Sequence, residues 1–266
     1  MSRPTIALLS DFGTRDHYAG VMKGVMLAIA GDIALIDLSH DLPAHDVPFA
    51  ALELAATYKY FPPGTIFLVV IDPGVGTLRR GIAAEAGDWR FVAPDNGVLT
   101  GVFLEVPPKR VVELTERRYA RPTVSRTFEG RDRFAPAAAW LAKGTQLPAF
   151  GRTITDFQML DLARPHLEGA TVRGVTVRID RFGNIVTNID RKSCEKLSAA
   201  GPGALHLTIA GHPISRIVST YADIGSGEIA ALFGSTDHLE VAAHAASAAE
   251  RLSVAVGAPV ELTRSE

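Results

Sequence analysis

The first half of the chain alternates short apolar runs with segments of helical periodicity, and this alternation restricts its fold more than any other feature. Three runs, at Thr5–Leu9, Ile33–Ile36 and Ile66–Ile71, are almost entirely apolar. Such strands need cover on both faces, which a parallel sheet with helices on either side provides. Asp46 with Pro48 is typical of a helix start between two of the runs. The sequence therefore predicts an N-terminal α/β domain with a mostly parallel sheet.

The pattern changes in the second half of the chain. Short runs of alternating polar and apolar residues, separated by glycine and proline, predict an all-β domain that forms a small barrel or sandwich. The predicted strands lie at Val172–Ile179, Leu205–Ile209, Ile229–Phe233, Leu239–Val241, Leu252–Val256 and Pro259–Leu262. A chain of 266 residues is also long for a single core. We expect domains at residues 1–162 and 171–266, with the linker in Gln158–Ala170.

Charge and composition exclude several classes of protein. With 27 basic and 29 acidic residues, the net charge of −2 disfavours a partner that is bound through its phosphates, such as nucleic acid. No apolar run approaches the ~20 residues of a membrane span, and the N-terminus does not resemble a secretory leader. The single cysteine, Cys194, excludes an internal disulfide and a cysteine-based zinc cluster. We expect a cytoplasmic protein that acts on small molecules, without a membrane partner.

Carboxylates stand at the ends of four predicted strands. They are Asp11, Asp37, Asp72 and Asp95. In an open parallel sheet, ligands bind at the carboxyl ends of the strands. Any one of these residues has an ordinary explanation as a turn or cap residue, but four at one edge predict a binding site there.

The stretch after the third apolar run is the most distinctive in the chain. Pro73, Gly74 and Gly76 predict a tight turn, across which Asp72 and Arg79 are close enough in sequence to pair. The alternative is a plain surface loop with an exposed salt bridge. A phosphate-binding loop is disfavoured, since the required Lys and Ser/Thr are absent.

Two further clusters leave alternatives open. His40, Asp41 and His45 suggest a metal site, but the paired histidines of a zinc helix are missing, and we predict no metal. The run from Asp180 to Asn184 interrupts an alternating strand, which by itself favours a turn. As a binding site it offers a carboxylate for an ammonium group, the aromatic face of Phe182 and an amide for a base edge.

Five short motifs follow one another along the chain. They are Ser10-Asp11-Phe12-Gly13 with Asp16 and Tyr18, Asp72-Pro73-Gly74-Val75-Gly76 with Arg79, Pro94-Asp95-Asn96-Gly97, Gly130-Arg131-Asp132, and Asp180 with Phe182-Gly183-Asn184. Together they resemble the S-adenosylmethionine (SAM) hydrolase, or SAM hydroxide adenosyltransferase, family, which is related to the SAM-dependent chlorinase and fluorinase. The resemblance extends from about Ile6 to Leu262, nearly the whole chain.

The resemblance implies an α/β domain, a C-terminal β-barrel and a homotrimer that binds SAM between one subunit's N-terminal domain and its neighbour's C-terminal domain. SAM is then the substrate, and no cofactor is implied. The implied substrate-binding residues are Asp11 on the ribose hydroxyls, Asp180, Phe182 and Asn184 on the adenine or methionine moieties, Ser235 on the methionine end, and Glu240 and Ala242 along the adenosine pocket, Ala242 through its backbone. In that family an Asp–Arg–His set handles the attacking water. The resemblance implies that its first two members correspond to Asp72 and Arg79.

The third member of that set differs. Glu129 stands where these hydrolases usually have histidine before Gly-Arg-Asp. A carboxylate accepts a proton or holds a water, as imidazole does. We therefore predict that Asp72, Arg79 and Glu129 are catalytic and that the protein hydrolyses SAM to adenosine and L-methionine.

Three alternatives stand beside hydrolysis. In one, Glu129 disables the chemistry and leaves a protein that binds SAM or adenosine without turnover. In another, the protein is a halogenase, which is less favoured because a carboxylate at Asp72 repels a halide and the halogenase relatives lack it. The least favoured is a metal-dependent hydrolase centred on His40, Asp41 and His45.

Overall fold

The computed structural model describes residues 3–199 and 203–265. The chain divides into two compact units, Met1–Leu162 and Ala163–Glu266, each with its own core. No helix in the described ranges is long and apolar enough to cross a membrane.

The N-terminal unit is built on a six-stranded sheet. Its strands are β1 (Thr5–Ser10), β2 (Ala34–Ser39), β3 (Ile66–Val70), β4 (Gly81–Ala86), β5 (Trp89–Pro94) and β6 (Pro108–Glu113). They lie in the order β2-β1-β3-β5-β4-β6. The first four strands in this order are parallel, while β4 is antiparallel to both of its neighbours. The predicted α/β class is confirmed, with two antiparallel pairings added at one edge.

Helices cover both faces of this sheet, as the apolar strands require. The helices are α1 (Tyr18–Ile29), α2 (Val47–Thr57), α3 (Thr100–Glu105) and α4 (Ala135–Ala142). Helices α1 and α4 pack on one face with residues such as Ile6 and Leu68, and α2 and α3 pack on the other with Ala7 and Phe67. Helix α2 begins where predicted, since the Asp46 side chain accepts a hydrogen bond from the Phe49 amide at 2.9 Å.

The C-terminal unit contains one antiparallel sheet of eight strands. They are β7 (His166–Glu168), β8 (Thr171–Ile179), β9 (Ile185–Asp190), β10 (Leu205–Ile209), β11 (His212–Ile214), β12 (Ile229–Phe233), β13 (His238–Ala243) and β14 (Pro259–Arg264). The order is β11-β10-β14-β8-β9-β13-β12, with β7 beside β8. The two end strands approach each other, and Ile217 bridges to Ala231 of β12, so the sheet is nearly closed into the predicted barrel. Helix α5 (Arg191–Ala199) follows β9, and α6 (Ala248–Leu252) precedes β14.

Several local predictions are wrong. The apolar run Leu252–Val256 is not a strand: it begins in the last residue of α6 and turns at Ser253, whose φ of 52° is left-handed. The stretch Gln158–Ala170, expected as the linker, includes the boundary between the two units, and it also contains β7 and Leu160, which packs on the N-terminal core. Asp37 lies inside β2 rather than at its end, because β2 extends three residues beyond the apolar run.

Candidate functional site

A cavity of about 350 Å³ opens in the N-terminal unit. It lies where β1 and β3 end, beside the turn of helix that precedes α4. Its walls are formed by Asp11, Phe12, Tyr18, Ala44, His45, Val70, Asp72, Val75, Thr127, Phe128, Glu129 and Gly130. Three of the carboxylates named from the sequence therefore share one cavity.

Asp72 and Glu129 are joined through one arginine. Arg79 donates from Nε to Asp72 Oδ1 at 2.9 Å and from Nη2 to Asp72 Oδ2 at 2.5 Å. The same Nη2 donates to Glu129 Oε2 at 3.1 Å. The side chains of Asp72, Arg79 and Glu129 are only 6%, 7% and 11% exposed. The predicted pair is thus present and buried, rather than an exposed salt bridge on a surface loop.

Burial dominates the electrostatics of Asp72. Removal of the carboxylate from water raises its pKa, the Arg79 guanidinium lowers it, and the charge of Glu129 raises it again. The net result is a pKa above the usual range for aspartate. A carboxylate whose pKa is raised in a cavity is suited to accept a proton.

One nitrogen of Arg79 has no hydrogen-bond partner. Its Nη1 is buried and unpaired within the described part of the chain, while Nε and Nη2 hold the two carboxylates. The guanidinium also stacks on the Phe134 ring, 5.2 Å from the ring centroid. A buried donor without a protein partner requires a small acceptor such as water.

The turn between Asp72 and Arg79 is fixed by close backbone contacts. Gly76 has a φ of +79°, and a Cβ there would lie 2.4 Å from the Arg126 carbonyl oxygen. Thr77 donates its hydroxyl to the Gly74 carbonyl at 2.6 Å and accepts the Arg79 amide at 3.2 Å. Glycine at position 76 is therefore needed both for the turn and for the approach of the neighbouring chain.

Asp11 also lines the cavity. Its side chain is 7% exposed, and Oδ2 accepts the His45 backbone amide at 2.8 Å. Next to it, the rings of Phe12, Tyr18 and Phe128 pack edge to face or tilted at centroid distances of 5.1–5.8 Å. These rings give the cavity an apolar part of its wall.

One member of the histidine cluster, His40, takes part in a buried hydrogen-bond array. Within residues 3–199 and 203–265 no group of three or more His, Cys, Asp or Glu side chains is placed to hold a metal ion. His40 instead bridges Ser10 Oγ, at 2.7 Å from Nδ1, and Asp37 Oδ1, at 3.0 Å from Nε2. Ser10 is completely buried, so this array ties β1 to β2.

Asp95 has a structural role as well. It accepts from Arg80 Nε at 2.9 Å and from the Gln158 amide at 2.8 Å, and it does not line the cavity. Of the four carboxylates expected at the sheet edge, Asp11 and Asp72 line the cavity. Asp37 bonds His40 and Lys23 instead, and Asp95 bonds Arg80 and the Gln158 amide.

The Asp180 turn of the C-terminal unit is an internally bonded loop. Asp180 Oδ1 accepts the amides of Phe182 and Asn184 at 2.8 and 2.9 Å, and Oδ2 accepts Asn184 Nδ2 at 2.9 Å. The turn holds Phe182 away from the core, 77% exposed. Gly183 is necessary because a Cβ there would lie 2.2 Å from Ser247 Oγ. An exposed aromatic ring on a rigid turn offers a stacking surface.

Glu240 lies buried in the same unit, on β13. Its carboxylate accepts a hydrogen bond from the Tyr221 hydroxyl and packs against Gly234, which precedes the exposed Ser235. Burial raises the pKa of Glu240; the Tyr221 hydrogen bond lowers it, and the nearby Asp180 charge raises it. Ala242, two residues along β13, has its side chain in a small core with Leu232, so only its backbone is available for binding.

The structure places the ten predicted site residues in two groups. Asp11, Asp72 and Glu129 line the N-terminal cavity, and Arg79 binds the last two; Asp180, Phe182, Asn184, Ser235, Glu240 and Ala242 belong to the C-terminal unit. Sequence reasoning missed two partners. Arg133 Nη1 lies 3.5 Å from Glu129 Oε2, and Tyr221 holds Glu240. The spacing of four residues between Glu129 and Arg133 is the signal that could have identified the first.

The comparisons with known proteins agree over nearly the full length. Two family models match, the SAM hydroxide adenosyltransferase N-terminal domain at residues 6–151 and the C-terminal domain at residues 174–261. An (R)-S-adenosyl-L-methionine hydrolase from Thermus thermophilus is 37% identical, over 97% of this chain and 98% of that protein. A fluorinase from an Actinoplanes species is 29% identical, over 98% of each chain. The solved structure of a conserved protein from Thermotoga maritima superposes with a TM-score of 0.92 at 35% identity, covering 97% of this chain and all of that one (100%).

Proposed function

The chain belongs to the SAM hydroxide adenosyltransferase family, and we propose from this that it hydrolyses S-adenosyl-L-methionine to adenosine and L-methionine. Proteins named (R)-S-adenosyl-L-methionine hydrolase from Thermus thermophilus and Salinispora tropica match this chain over nearly their whole length, at 37% and 35% identity. The fluorinases are more distant, at 29–30% identity. The observation that carries the proposal is the buried cluster of Asp72, Arg79 and Glu129 at the cavity.

The reaction is a displacement at the ribose C5′ carbon. A water oxygen forms the new C5′–O bond, the C5′–S bond breaks, and its electron pair stays on sulfur, so that the sulfonium leaves as the neutral thioether of methionine. The water loses one proton, which a carboxylate accepts and passes to solvent. Since a neutral thioether leaves without acid assistance, the protein has to position the water and remove its proton.

The cluster supplies groups for both tasks. Asp72, with its raised pKa, is assigned as the proton acceptor, and Glu129, which shares Arg79 Nη2 with it, is assigned to orient the water. The free Nη1 donor of Arg79 is assigned to the water oxygen, where it stabilises developing hydroxide character. Glu129 stands at the position where histidine is usual. It can take over the role of that histidine because a carboxylate, like an imidazole, accepts a proton.

Substrate binding is assigned to both groups of residues. Asp11 is proposed to hold the ribose hydroxyls, since its buried carboxylate lies in the cavity. Phe182, Asp180 and Asn184 are proposed to engage the adenine or methionine moieties, with Ser235, Glu240 and the Ala242 backbone completing the pocket.

The exposed Phe182 ring supports a site that is completed by a second copy, and we propose a homotrimer with SAM between neighbouring subunits. We propose that the protein acts in the cytoplasm.

The test is product analysis. Protein stripped of bound ligand is incubated with SAM, with and without chloride, and the products are separated by chromatography. We expect adenosine and methionine in equal amounts at a rate that chloride does not change. Recovery of intact SAM from a saturable complex would support binding without turnover. Sustained release of 5′-chloroadenosine faster than adenosine would identify a halogenase.

A further inference from the structure

The glutamate of the cluster has an ion-pair partner of its own. Arg133 Nη1 lies 3.5 Å from Glu129 Oε2, four residues along the chain. Glu129 directly precedes a π-helical turn, Gly130–Phe134, and Arg133 lies within that turn. π-helical turns are rare and are found frequently at functional sites.

The position of Arg133 is set by its packing. A Cβ added to Gly81 would lie 2.5 Å from the Phe134 ring and 3.4 Å from Cδ of Arg133, so the glycine lets this turn approach β4 closely. The Arg133 side chain is 33% exposed, whereas Glu129 is 11% exposed. Arg133 therefore holds a buried carboxylate from the solvent side.

The charges of the cluster explain why this cation is needed. Among the described residues, the charged groups that face Glu129 are Arg79, Asp72 and Arg133. Arg79 makes a two-point contact with Asp72 and shares only Nη2 with Glu129. Without Arg133, two buried carboxylates would share one guanidinium, and one of them would tend to keep a proton. With Arg133 the cluster is neutral, as an Asp–Arg–His cluster with neutral histidine is.

We propose that Arg133 is a positioning residue that holds the Glu129 carboxylate in place, and that Glu129 can serve in place of histidine because Arg133 is present. The inference rests on the proposed hydrolysis and extends it to a residue outside the Asp–Arg–His set. Arg133 acts through Glu129 and is not assigned a contact with SAM.

The test is a double-mutant cycle. Arg133→Met removes the charge and keeps an unbranched side chain, Arg133→Lys keeps the charge, and both are made with Glu129 intact and in a Glu129→His background. With Glu129 intact, Arg133→Met is expected to lower kcat by about tenfold, as for one pKa unit of lost charge stabilisation, with KM changed less than about twofold. Arg133→Lys should restore most of kcat. In the Glu129→His background, Arg133→Met should change kcat less than about twofold.

The pH profile adds a readout that a purely structural role would not move. Loss of the cation should shift the acid limb of kcat to higher pH, because a cluster with excess negative charge binds a proton more readily. Arg152→Met is the matched control, since Arg152 also pairs with a largely buried glutamate, Glu113, at 2.8 Å, but lies outside the cavity. It should leave kcat and the profile unchanged.

The outcomes separate the two proposals. An active wild type in which Arg133→Met is without effect, or lowers kcat equally in both backgrounds, overturns the role of Arg133 and leaves hydrolysis standing. A wild type that releases no adenosine overturns the proposed function, and the role of Arg133 falls with it. Melting temperatures of all variants show whether any loss comes from unfolding.

Discussion

Replacement of Asp72 by asparagine should separate catalysis from folding at this site. Asparagine keeps the size of the side chain and an acceptor for Arg79 Nε, but it cannot take a proton from water. We expect kcat to fall by at least about a hundredfold, the usual lower range for loss of a general base. KM for SAM should change much less, because Asp72 is assigned to the water and not to SAM.

The cost in stability should be small, for reasons visible in the structure. Burial raises the pKa of Asp72 despite the Arg79 guanidinium, so the ionised carboxylate is costly to bury and its loss relieves that cost. Arg79 is also not left alone, since Glu129 still accepts from its Nη2. We expect a loss of about 1 kcal/mol, well below the ~3–5 kcal/mol typical when one partner of a buried ion pair is removed. That corresponds to a drop in melting temperature of roughly 2–4 °C.

The assay compares Asp72→Asn with Asp95→Asn. Asp95 is likewise a buried aspartate at the end of a strand. It forms an ion pair at 2.7 Å with Arg80, the residue that follows Arg79. It does not line the cavity, so its replacement should reduce the melting temperature without a comparable loss of kcat. Adenosine release is measured by chromatography well below both melting temperatures. The assignment is refuted if Asp72→Asn keeps more than half of the wild-type kcat, or if Asp95→Asn loses as much activity.

Three further predictions concern the buried Asp132, the contact of Tyr221 with Glu240, and metal dependence. Burial alone would raise the pKa of Asp132, but the hydrogen bonds from Arg131 and the Ser125 amide and the charges of Arg131 and Arg121 outweigh it and lower the pKa. A lowered pKa stabilises the fold above the unfolded value of about 3.9, so Asp132→Asn should cost about 3 kcal/mol at pH 7, and urea titrations should show the difference from wild type shrinking below about pH 4. Tyr221→Phe removes the hydrogen bond to buried Glu240 and should lower the free energy of unfolding by about 1–3 kcal/mol. It should also raise KM for SAM more than it lowers kcat. An unchanged KM would contradict the binding role assigned to Glu240. Prolonged dialysis against a chelator should leave adenosine release unchanged, and a loss restored by a divalent ion would revive the metal-dependent alternative.

The sequence predicted best the short strands that lie between glycines. The strands Leu205–Ile209 and Ile229–Phe233 have the predicted bounds. Strand β4 was missed because Gly-Ile-Ala-Ala-Glu-Ala has small residues and no β-branched run. The strand predicted at Leu252–Val256 is wrong because these residues form the end of a short helix and a turn. Over five residues, periodicity cannot distinguish such a segment from a strand.

For the site, proximity along the chain was predictable and proximity through the fold was not. Asp72 and Arg79 are seven residues apart, and the glycine turn between them indicated their pairing. Glu129 meets them from 50 residues further on, and it was placed there by resemblance and by the helix start that follows it. Tyr221 carried no signal, because its contact with Glu240 depends on a loop that no periodic pattern describes.

The charge of the cluster argues for water over a halide as the nucleophile. Within this cluster, Arg79 Nη1 is a buried donor without a hydrogen-bond partner in the described part of the chain, and by itself it would suit a halide as well as water. However, the same guanidinium binds two carboxylates, and Arg133 leaves the group neutral overall. A halide held there would face Asp72 and Glu129 with no excess positive charge to offset the repulsion and its own loss of hydration. A water molecule instead donates to the carboxylates and accepts from the arginine, so every charge that disfavours the anion helps to orient the neutral nucleophile.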